Sequence, residues 1–336
     1  MMKVPTLLAA TLLLAISCVR KDEPIRIQGE AQGTYYNIAY CDSARRNLQP
    51  AIDSLLANFD STASLWAENS LIRKVNRREN PILDSSFCKL LDRSIAIERY
   101  TNGAFNCKIG ALVNLYGFGF KHRDNVTDAQ IDSLLFLIQH GECRYNDSTT
   151  RSQLLLSDGI DLDFNAIAQG YAVDLLAGMF DQKGIKNYLI DVGGEVIARG
   201  CKPDGSNWTV GIERPAADKF SNREIERAIE LRDQSVVTSG NYRKYYEQDG
   251  IRYSHTIDPS TGRPVSHSLL SVSVVSREAW YADAMATAFM VMGLEKSRQF
   301  IADHADNPDI QAVFFIYDDH GEYKTFATSA FQQLIK

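Results

Sequence analysis

Strand-like and helix-like segments follow one another along this chain without the regular strand–helix–strand rhythm of a parallel α/β protein. Alternation typical of strands is predicted at 33–40, 153–157, 160–164, 187–192, 195–199, 208–213, 228–231, 251–257, 269–275 and 311–317. Helical spacing of apolar residues is predicted at 47–60, 86–100, 127–140 and 279–292. Because parallel sheets need regular helical crossovers, this order favours an α+β fold.

The composition is that of an ordinary globular protein. The 336 residues are 45% hydrophobic and 23% charged, which is enough for one large domain or two smaller ones. The formal net charge is −6 and basic residues form no long cluster, which argues against nucleic acid as a partner. We expect residues 27–336 to form a single folded unit, with a division into two lobes as the alternative.

The amino terminus has the proportions of an export signal. A basic start at 1–3 precedes a short apolar run, and the segment 15–18, AISC, resembles the lipobox of bacterial lipoproteins. We predict that residues 1–17 are a lipoprotein signal peptide, that Cys18 is lipidated, and that residues 18–26 tether the protein to a membrane on the periplasmic side. The outer membrane and the cell surface stay open as final locations, and a soluble secreted protein is the alternative.

The segment 163–174, DFNAIAQGYAVD, joins a strand-like run to a helical run through small residues. Such a junction lets a backbone approach a phosphate, but neither a GxGxxG nor a GxxxxGK[ST] motif is present. An acidic chain must bind an anionic ligand by local means, such as a metal ion or a helix N-terminus. A phosphate loop alone therefore does not explain the acidic residue Asp163 beside this junction.

Asp283 and Thr287 form a candidate metal pair. They are four residues apart in the predicted helix at 279–292, so they share one face of it among small neighbours. Carboxylate and hydroxyl oxygens are hard donors suited to Mg²⁺, which keeps waters and substrate phosphates as its other ligands. In the structural alternative, Asp283 would accept free N–H groups near a helix start and Thr287 would bond back to its own helix.

Three further segments are candidates by their chemistry. His255 precedes the turn DPSTG and could position a phosphate or move a proton, although a lone histidine is more often structural. The Gly pair of IDVGGE, at 190–195, predicts a hairpin or a close approach to a ligand. The segment 103–106, GAFN, precedes an aromatic stripe that is usually core and can also wall a flat ring.

The order of these segments resembles the ApbE family of FAD:protein FMN transferases, also called flavin transferases. The resemblance rests on GEAQGTYY, SLWAENSLI, GAFNCKIGALVNLYGFGF, DFNAIAQGYAVD, IDVGGEV, WTVGIERP, VTSGNYRKYYEQDGIRYSHTIDPSTGRPV and ADAMATAFMVMG. These blocks run from about residue 28 to the C-terminus. Members of the family are often exported lipoproteins, in agreement with the predicted lipidation of Cys18.

The resemblance implies an α+β fold with a T-fold-like core that acts as one catalytic unit. It implies FAD as the substrate, bound in a cleft with Mg²⁺ at its pyrophosphate. The reaction would transfer FMN from FAD to a Thr or Ser hydroxyl of a target protein and release AMP. The partners would be acceptor proteins with a motif resembling D-[GA]-x-[ST]-[GA]-A-T, such as subunits of a sodium-pumping quinone reductase or of an electron-transport complex.

The resemblance also implies site residues. Metal positions of the family fall on Asp283, on Thr287 and on the backbone carbonyl of Ala166. Asp283 and His255 are the candidates for the base that activates the acceptor hydroxyl, and His255 lies where a family histidine approaches the phosphates. The FAD-contacting positions fall on Gln32, Trp66, Ala104, Phe105, Asn106, Asp163, Gln169 and Ile257.

Several positions depart from the family pattern. Asn106 stands where Asp is commoner, Lys108 where Thr is usual, and Gln169 where Lys is frequent. Gln169 keeps the ability to hydrogen-bond but removes a positive charge beside the phosphates. Trp280 stands three places before Asp283, where some relatives carry an acidic residue. Because the metal pair is kept, we expect activity, with an altered affinity for the substrate or a different acceptor preference.

Two other functions stay open on the sequence alone. If water replaced the acceptor hydroxyl, the same site would make the protein an FAD pyrophosphatase that yields FMN and AMP. A non-enzymatic exported lipoprotein that binds FAD is the second alternative. The retained pair Asp283 and Thr287 favours chemistry over storage.

Overall fold

A large antiparallel sheet and the helices packed on it form the framework of the protein. The structure, a computed structural model, describes residues 23–118, 126–215, 224–241, 245–248, 251–254 and 256–336. Its strands are β1 Ile25–Ala31, β2 Thr34–Tyr40, β3 Cys143–Tyr145, β4 Leu154–Leu156, β5 Tyr188–Val192, β6 Glu195–Arg199, β7 Trp208–Glu213, β8 Ile225–Leu231, β9 Gln234–Gly240, β10 Tyr245–Gln248, β11 Ile251–Ser254, β12 Ile257–Asp258, β13 Arg263–Pro264, β14 Leu269–Ser276, β15 Ala312–Asp319 and β16 Glu322–Ala327. Its helices are α1 Gln49–Ala63, α2 Leu71–Asn76, α3 Ser85–Tyr100, α4 Gly110–Leu115, α5 Asp128–His140, α6 Ala168–Gln182, α7 Ala279–Asp303 and α8 Ser329–Gln332.

The large sheet orders its strands as β1-β2-β5-β6-β9-β14-β15-β16, and every neighbouring pair is antiparallel. Helices are inserted between its strands without parallel crossovers, as the predicted α+β class requires. In the part of the chain that the structure describes, no helix is both long enough and apolar enough to cross a membrane.

The two faces of the sheet bury two different sets of side chains because successive strand residues point to opposite sides. Tyr36 and Ile38 of β2 belong to the main core, which they share with α1, α3, α6 and α7. Ala39, between Ile38 and the end of the strand, belongs instead to a second cluster with β7, β8 and α8. In β14, Val274 belongs to the main core and Val275 to the second cluster. Helices α6 and α7, which carry the candidate residues, therefore pack on one face only.

The long helix predicted at 279–292 is present as α7 and continues to Asp303. Gly293, one residue beyond the predicted end, has a non-helical backbone with a φ of 76°, so a kink separates the predicted helix from a second helical segment. The hairpin predicted from the Gly pair is also present. Gly193 and Gly194 have φ values of 64° and 114° and join β5 to β6.

The strand predicted at 160–164 is wrong. Alternate side chains of the segment are fully buried, which produces the strand-like pattern. Its backbone, however, bonds mainly to loops and side chains. The side chain of Asn76 accepts the N–H of Leu162 at 2.8 Å and donates to the Leu162 carbonyl at 2.9 Å, and the Asp163 N–H donates to the Cys107 carbonyl at 2.8 Å. The strand predicted at 251–257 is divided between β11 and β12.

Candidate active site

The first turns of α6 and α7 are joined by an exchange of carboxylates. Oδ2 of Asp283, on α7, accepts the N–H of Gly170 in the first turn of α6 at 2.9 Å. Asp174, on α6, accepts the N–H groups of Ala279 and Trp280 in the first turn of α7 at 3.0 and 2.8 Å. The first N–H groups of a helix have no acceptor within the helix. Here a carboxylate from the neighbouring helix accepts N–H groups at the start of each helix. The arrangement places Asp283 at the start of α6.

Gly170 makes this close contact possible because it has no side chain. A Cβ atom at this position would lie 2.4 Å from the carbonyl oxygen of Ala279 and 2.8 Å from Cβ of Asp283. Both distances are shorter than any real contact of this kind, and one of the obstructing atoms is backbone. The small-residue junction noticed in the sequence therefore permits helix–helix contact.

Asp283 is deeply buried, with 5% of its surface exposed. Loss of solvation raises the pKa of its carboxyl to about 7, against the opposing effect of the Gly170 N–H, and the negative charge of Asp174 raises it further. No Lys, Arg or His in the described ranges forms an ion pair with it. A carboxylate held in this way gains strongly from a cation.

Thr287 and Ala166 offer two further oxygens, the first from the same helix as Asp283 and the second four residues before Gly170, the hydrogen-bond partner of Asp283. Thr287 lies one turn along α7 from Asp283, and its Oγ1 is 3.4 Å from Oγ of Ser239 on β9. The Ala166 carbonyl precedes α6, and the N–H of Gly170, which would complete a helical bond to it, is directed to Asp283 instead. Within the described ranges, no backbone N–H donates to that carbonyl. One carboxylate, one hydroxyl and one carbonyl are hard oxygen donors of the kind that Mg²⁺ uses.

Two of the predicted FAD-contacting residues, Trp66 and Asp163, line one cleft of about 160 Å³. Arg73, Asn76 and Asn114 line it with them. Trp66 is 67% exposed and brings an aromatic ring to the wall of the cleft. Asp163 is buried, and burial raises the pKa of its carboxyl. The cleft thus combines an aromatic face with polar groups, as a nucleotide site requires.

Ala104, Phe105 and Asn106 follow α3 as one loop. Phe105 is buried in the main core and Ala104 packs against the same core. Asn106 donates to Oε1 of Glu98 at 3.2 Å and accepts the N–H of Lys108 at 2.8 Å, while Nζ of Lys108 lies 3.1 Å from the same Glu98 oxygen. The two unusual residues at 106 and 108 therefore form one polar network that holds this loop.

Gln32 and Gln169 lie at one end of the sheet, Gln32 in the β1–β2 turn and Gln169 in the first turn of α6 beside the β5–β6 hairpin. Gln32 has a φ of 56° in the β1–β2 turn and faces Asp60 of α1, where it opposes the rise in the pKa of the Asp60 carboxyl that burial causes. Gln169 donates from Nε2 to the carbonyl of Val192 at 2.8 Å, and a Cβ on Gly193 would lie 2.0 Å from that nitrogen. Gln169 therefore ties the β5–β6 hairpin to the start of α6, and its side chain is engaged with protein.

Ile257 does not join these residues in the described structure. It is 3% exposed and packs with Leu112, Tyr116, Ile131 and Ile138 in a third hydrophobic cluster. Its predicted contact with FAD stays a prediction.

His255, the predicted base, and Cys18, the predicted lipidation site, lie outside the described residues.

Comparison with known proteins identifies the family. The sequence model of the ApbE family matches residues 32–314. The chain belongs to the ApbE family. Among curated ApbE relatives, the protein named FAD:protein FMN transferase from Vibrio cholerae is 33% identical over 339 residues, and the match covers 97% of both chains. The protein of the same name from Escherichia coli is 32% identical over 349 residues and covers 98% of this chain and 96% of its own length.

Solved ApbE structures confirm the fold. The flavinyl transferase ApbE of Pseudomonas stutzeri superposes with a TM-score of 0.80 at 30% identity, covering 93% of this chain and 97% of that one. The flavin transferase ApbE of Vibrio cholerae gives a TM-score of 0.76 at 32% identity, covering 93% and 99%. The predicted family resemblance and the α+β class are confirmed.

Sequence reasoning about this ApbE protein missed Asp174, whereas Ser239 lies in the block VTSGNYR on which the family resemblance rests. A signal for Asp174 was available in the spacing, since Gly170 and Asp174 are four residues apart on α6 just as Ala279 and Asp283 are on α7. This spacing places each pair on one face of its helix, but it does not show that the two faces contact each other.

Proposed function

We propose that this ApbE protein transfers FMN from FAD to a Thr or Ser hydroxyl of an acceptor protein through a phosphodiester bond, with Mg²⁺ as cofactor and AMP as the second product. The observation that carries the proposal is the buried carboxylate of Asp283 at the start of α6, with Thr287 one turn away and the Ala166 carbonyl unclaimed by any described backbone N–H. The ApbE relatives named FAD:protein FMN transferase support the choice of reaction.

The proposed chemistry is a displacement at phosphorus. The acceptor hydroxyl oxygen attacks the phosphorus on the FMN side of the pyrophosphate and forms a new P–O bond. The bond from that phosphorus to the bridging oxygen breaks, and AMP leaves with the electron pair. The hydroxyl proton passes to a base. Bound Mg²⁺ would neutralise the charge that develops on the pyrophosphate and on AMP.

The residues of the chain have separate tasks in this scheme. Asp283, Thr287 and the Ala166 carbonyl would hold the metal. Trp66 and Asp163 bind the nucleotide in their cleft, and the positive end of the α6 dipole favours the phosphates. Asp283 is a candidate base only where the metal does not occupy it, so metal ligation ranks first, and His255 is the other candidate.

The proposal includes the partners and the location. The acceptors carry a motif resembling D-[GA]-x-[ST]-[GA]-A-T, whose last Thr receives FMN. Export by residues 1–17 and lipidation of Cys18 place the enzyme at a membrane on the periplasmic side, where exposed acceptor domains are available.

One incubation tests the function. The protein is mixed with FAD and Mg²⁺, with and without an acceptor domain that carries the motif, and AMP release and protein-bound flavin fluorescence are followed. Release of AMP and labelling of the acceptor only when the intact motif is present support the transferase. AMP released equally without acceptor identifies an FAD pyrophosphatase, and tight FAD binding without AMP identifies a carrier. An acceptor domain whose last motif Thr is replaced by Ala is the matched control.

A further inference from the structure

We propose that Asp174 is a positioning residue of this site: reaching across from α6, its carboxylate fixes the start of α7 and thereby the places of Asp283 and Thr287. The inference rests on the proposed function, since it concerns how these two side chains are held for the metal.

Asp174 acts as the cap of a helix to which it does not belong. Its Oδ1 accepts the N–H of Ala279 at 3.0 Å and its Oδ2 accepts the N–H of Trp280 at 2.8 Å. Glu278, the residue in the N-cap position of α7, makes no side-chain capping bond. A carboxylate at a helix start satisfies unpaired N–H groups and complements the positive end of the helix dipole. Asp174 supplies both effects from the neighbouring helix.

The contacts form a closed ring between the two helices. Gly170 and Asp174 lie on successive turns of α6, and Ala279 and Asp283 lie on successive turns of α7. Asp174 bonds to Ala279 at one side of the ring, and Asp283 bonds to Gly170 at the other. Without Asp174, only the single bond from Gly170 would fix Asp283 across the helix boundary, and the first turn of α7 would lose its cap.

Asp174 stays mostly ionised at neutral pH, although its surroundings raise the pKa of the carboxyl. Burial raises the pKa of the carboxyl to about 6, while the two backbone N–H groups and the guanidinium of Arg93 act in the opposite direction. Arg93 lies 4.4 Å from the ring centre of Trp280 and 5.0 Å from that of Tyr171. These two rings come from α7 and α6, so the cation packs against both helices where Asp174 joins them.

The test compares Asp174→Ala and Asp174→Asn with Asp84→Ala. Asp84 is also a carboxylate cap, but of its own helix: it accepts the Phe87 N–H at 2.7 Å at the start of α3, and it has no place in the site. Amide hydrogen exchange is measured for the segment 277–289 in EDTA without FAD, and the half-saturating Mg²⁺ concentration is measured for AMP release with acceptor. FAD binding in EDTA is followed by flavin fluorescence.

We expect Asp174→Ala to speed exchange in 279–287 and to raise the half-saturating Mg²⁺ concentration, each about tenfold, since a lost cap is worth about that factor. FAD binding in EDTA should change less than about twofold, because the cleft that Trp66 and Asp163 line includes no residue of α7. Asp174→Asn should give a smaller effect, since an amide oxygen accepts one N–H but its NH₂ group faces the other. Asp84→Ala should lower the melting temperature without changing the exchange of 277–289 or the Mg²⁺ requirement.

The inference is overturned if an active wild type and Asp174→Ala need the same Mg²⁺ concentration, or if Asp84→Ala shifts the Mg²⁺ requirement equally. If the wild type neither labels the acceptor nor releases AMP, the proposed function fails, and the exchange measurement decides on Asp174 alone. Faster exchange confined to 279–287 then supports the positioning of α7 by Asp174, and unchanged exchange overturns it.

Discussion

At the residue scale, the site depends on the protonation of one carboxyl. Burial raises the pKa of Asp283 to about 7, and a metal ion binds the ionised form, so protons compete with Mg²⁺ below that pH. The ionised fraction falls about tenfold between pH 8 and pH 6 for a group with this pKa. We therefore predict that the half-saturating Mg²⁺ concentration for AMP release is about tenfold higher at pH 6 than at pH 8. A requirement that does not change over this range would contradict the assignment.

The same residue affects stability when no metal is bound. The unfolded chain releases the Asp283 proton near pH 4, whereas the folded protein keeps it until about pH 7, so folding is favoured at low pH and this contribution is lost as pH rises between those values. In EDTA, we expect the wild type to lose about 2 kcal/mol of unfolding free energy relative to Asp283→Asn between pH 5 and pH 8. Urea unfolding at both pH values measures this, and parallel curves for the two proteins would refute it.

Substitution of Asp283 also tests its role in the reaction. Asp283→Ala removes the only described carboxylate of the candidate metal set, and we expect FMN transfer to fall at least about a hundredfold, as for loss of a main metal ligand. The measurement is acceptor labelling at saturating FAD and Mg²⁺. Full labelling by this variant would remove Asp283 from the metal site. Asp84→Ala, at a cap outside the site, is the control for a general loss of stability.

At the scale of elements, the close contact between α6 and α7 depends on one glycine, Gly170 of α6, which faces Ala279 and Asp283 of α7. Gly170→Ala would place Cβ 2.4 Å from the Ala279 carbonyl, so the helices must separate and the bond to Asp283 must lengthen. We predict a loss of about 2 kcal/mol in unfolding free energy and at least about tenfold in transfer. The matched control lies on the same helix: a Cβ on Gly178 meets no atom within 4 Å, so Gly178→Ala should stabilise by about 0.5–1 kcal/mol. Urea unfolding compares them, and stabilisation by both would disprove the close packing.

Elements that bury one face could be predicted from the sequence, and contacts between elements could not. Periodicity is sufficient for α3, α5 and most strands of the large sheet, because one stripe or alternate residues face the core. It fails at 160–164, where alternate side chains are buried although the backbone bonds mainly to Asn76 and a loop. The same limit applies to the candidate site: a pattern within one element is visible in the sequence, and a contact between elements is not. The spacing of Asp283 and Thr287 is visible within one helix, whereas the role of Asp174 depends on a second helix, which only tertiary packing brings near.

At the scale of the whole molecule, one short segment connects the two halves of the candidate site. Asp163 lines the cleft with Trp66, and Gly170 lies against Asp283, with Ala166 between them in the chain. Nucleotide and metal candidates are therefore held by the same segment, which the main core anchors through Phe164 and Ile167. A shift of α6 would move both halves together. We therefore expect both the FAD affinity and the Mg²⁺ requirement to change in Gly170→Ala, whereas in Asp174→Ala the Mg²⁺ requirement should change and the FAD affinity should not.

The attachment of the molecule to a membrane is predicted to depend on Cys18 alone. The first described strand, β1, begins at Ile25, so loss of a lipid on Cys18 leaves every described contact of the site in place. We predict that Cys18→Ser moves the protein from the membrane fraction to the soluble fraction and abolishes labelling with palmitate, because an acyl chain contributes most of the affinity of an otherwise polar body for a bilayer. Transfer to a soluble acceptor domain should stay within about twofold of the wild type, since the site is unchanged. Cys41→Ser, at a free cysteine of the folded part, should keep both the lipid label and the membrane location. A Cys18→Ser protein that still carries lipid and sediments with membranes would show that attachment occurs elsewhere in the chain.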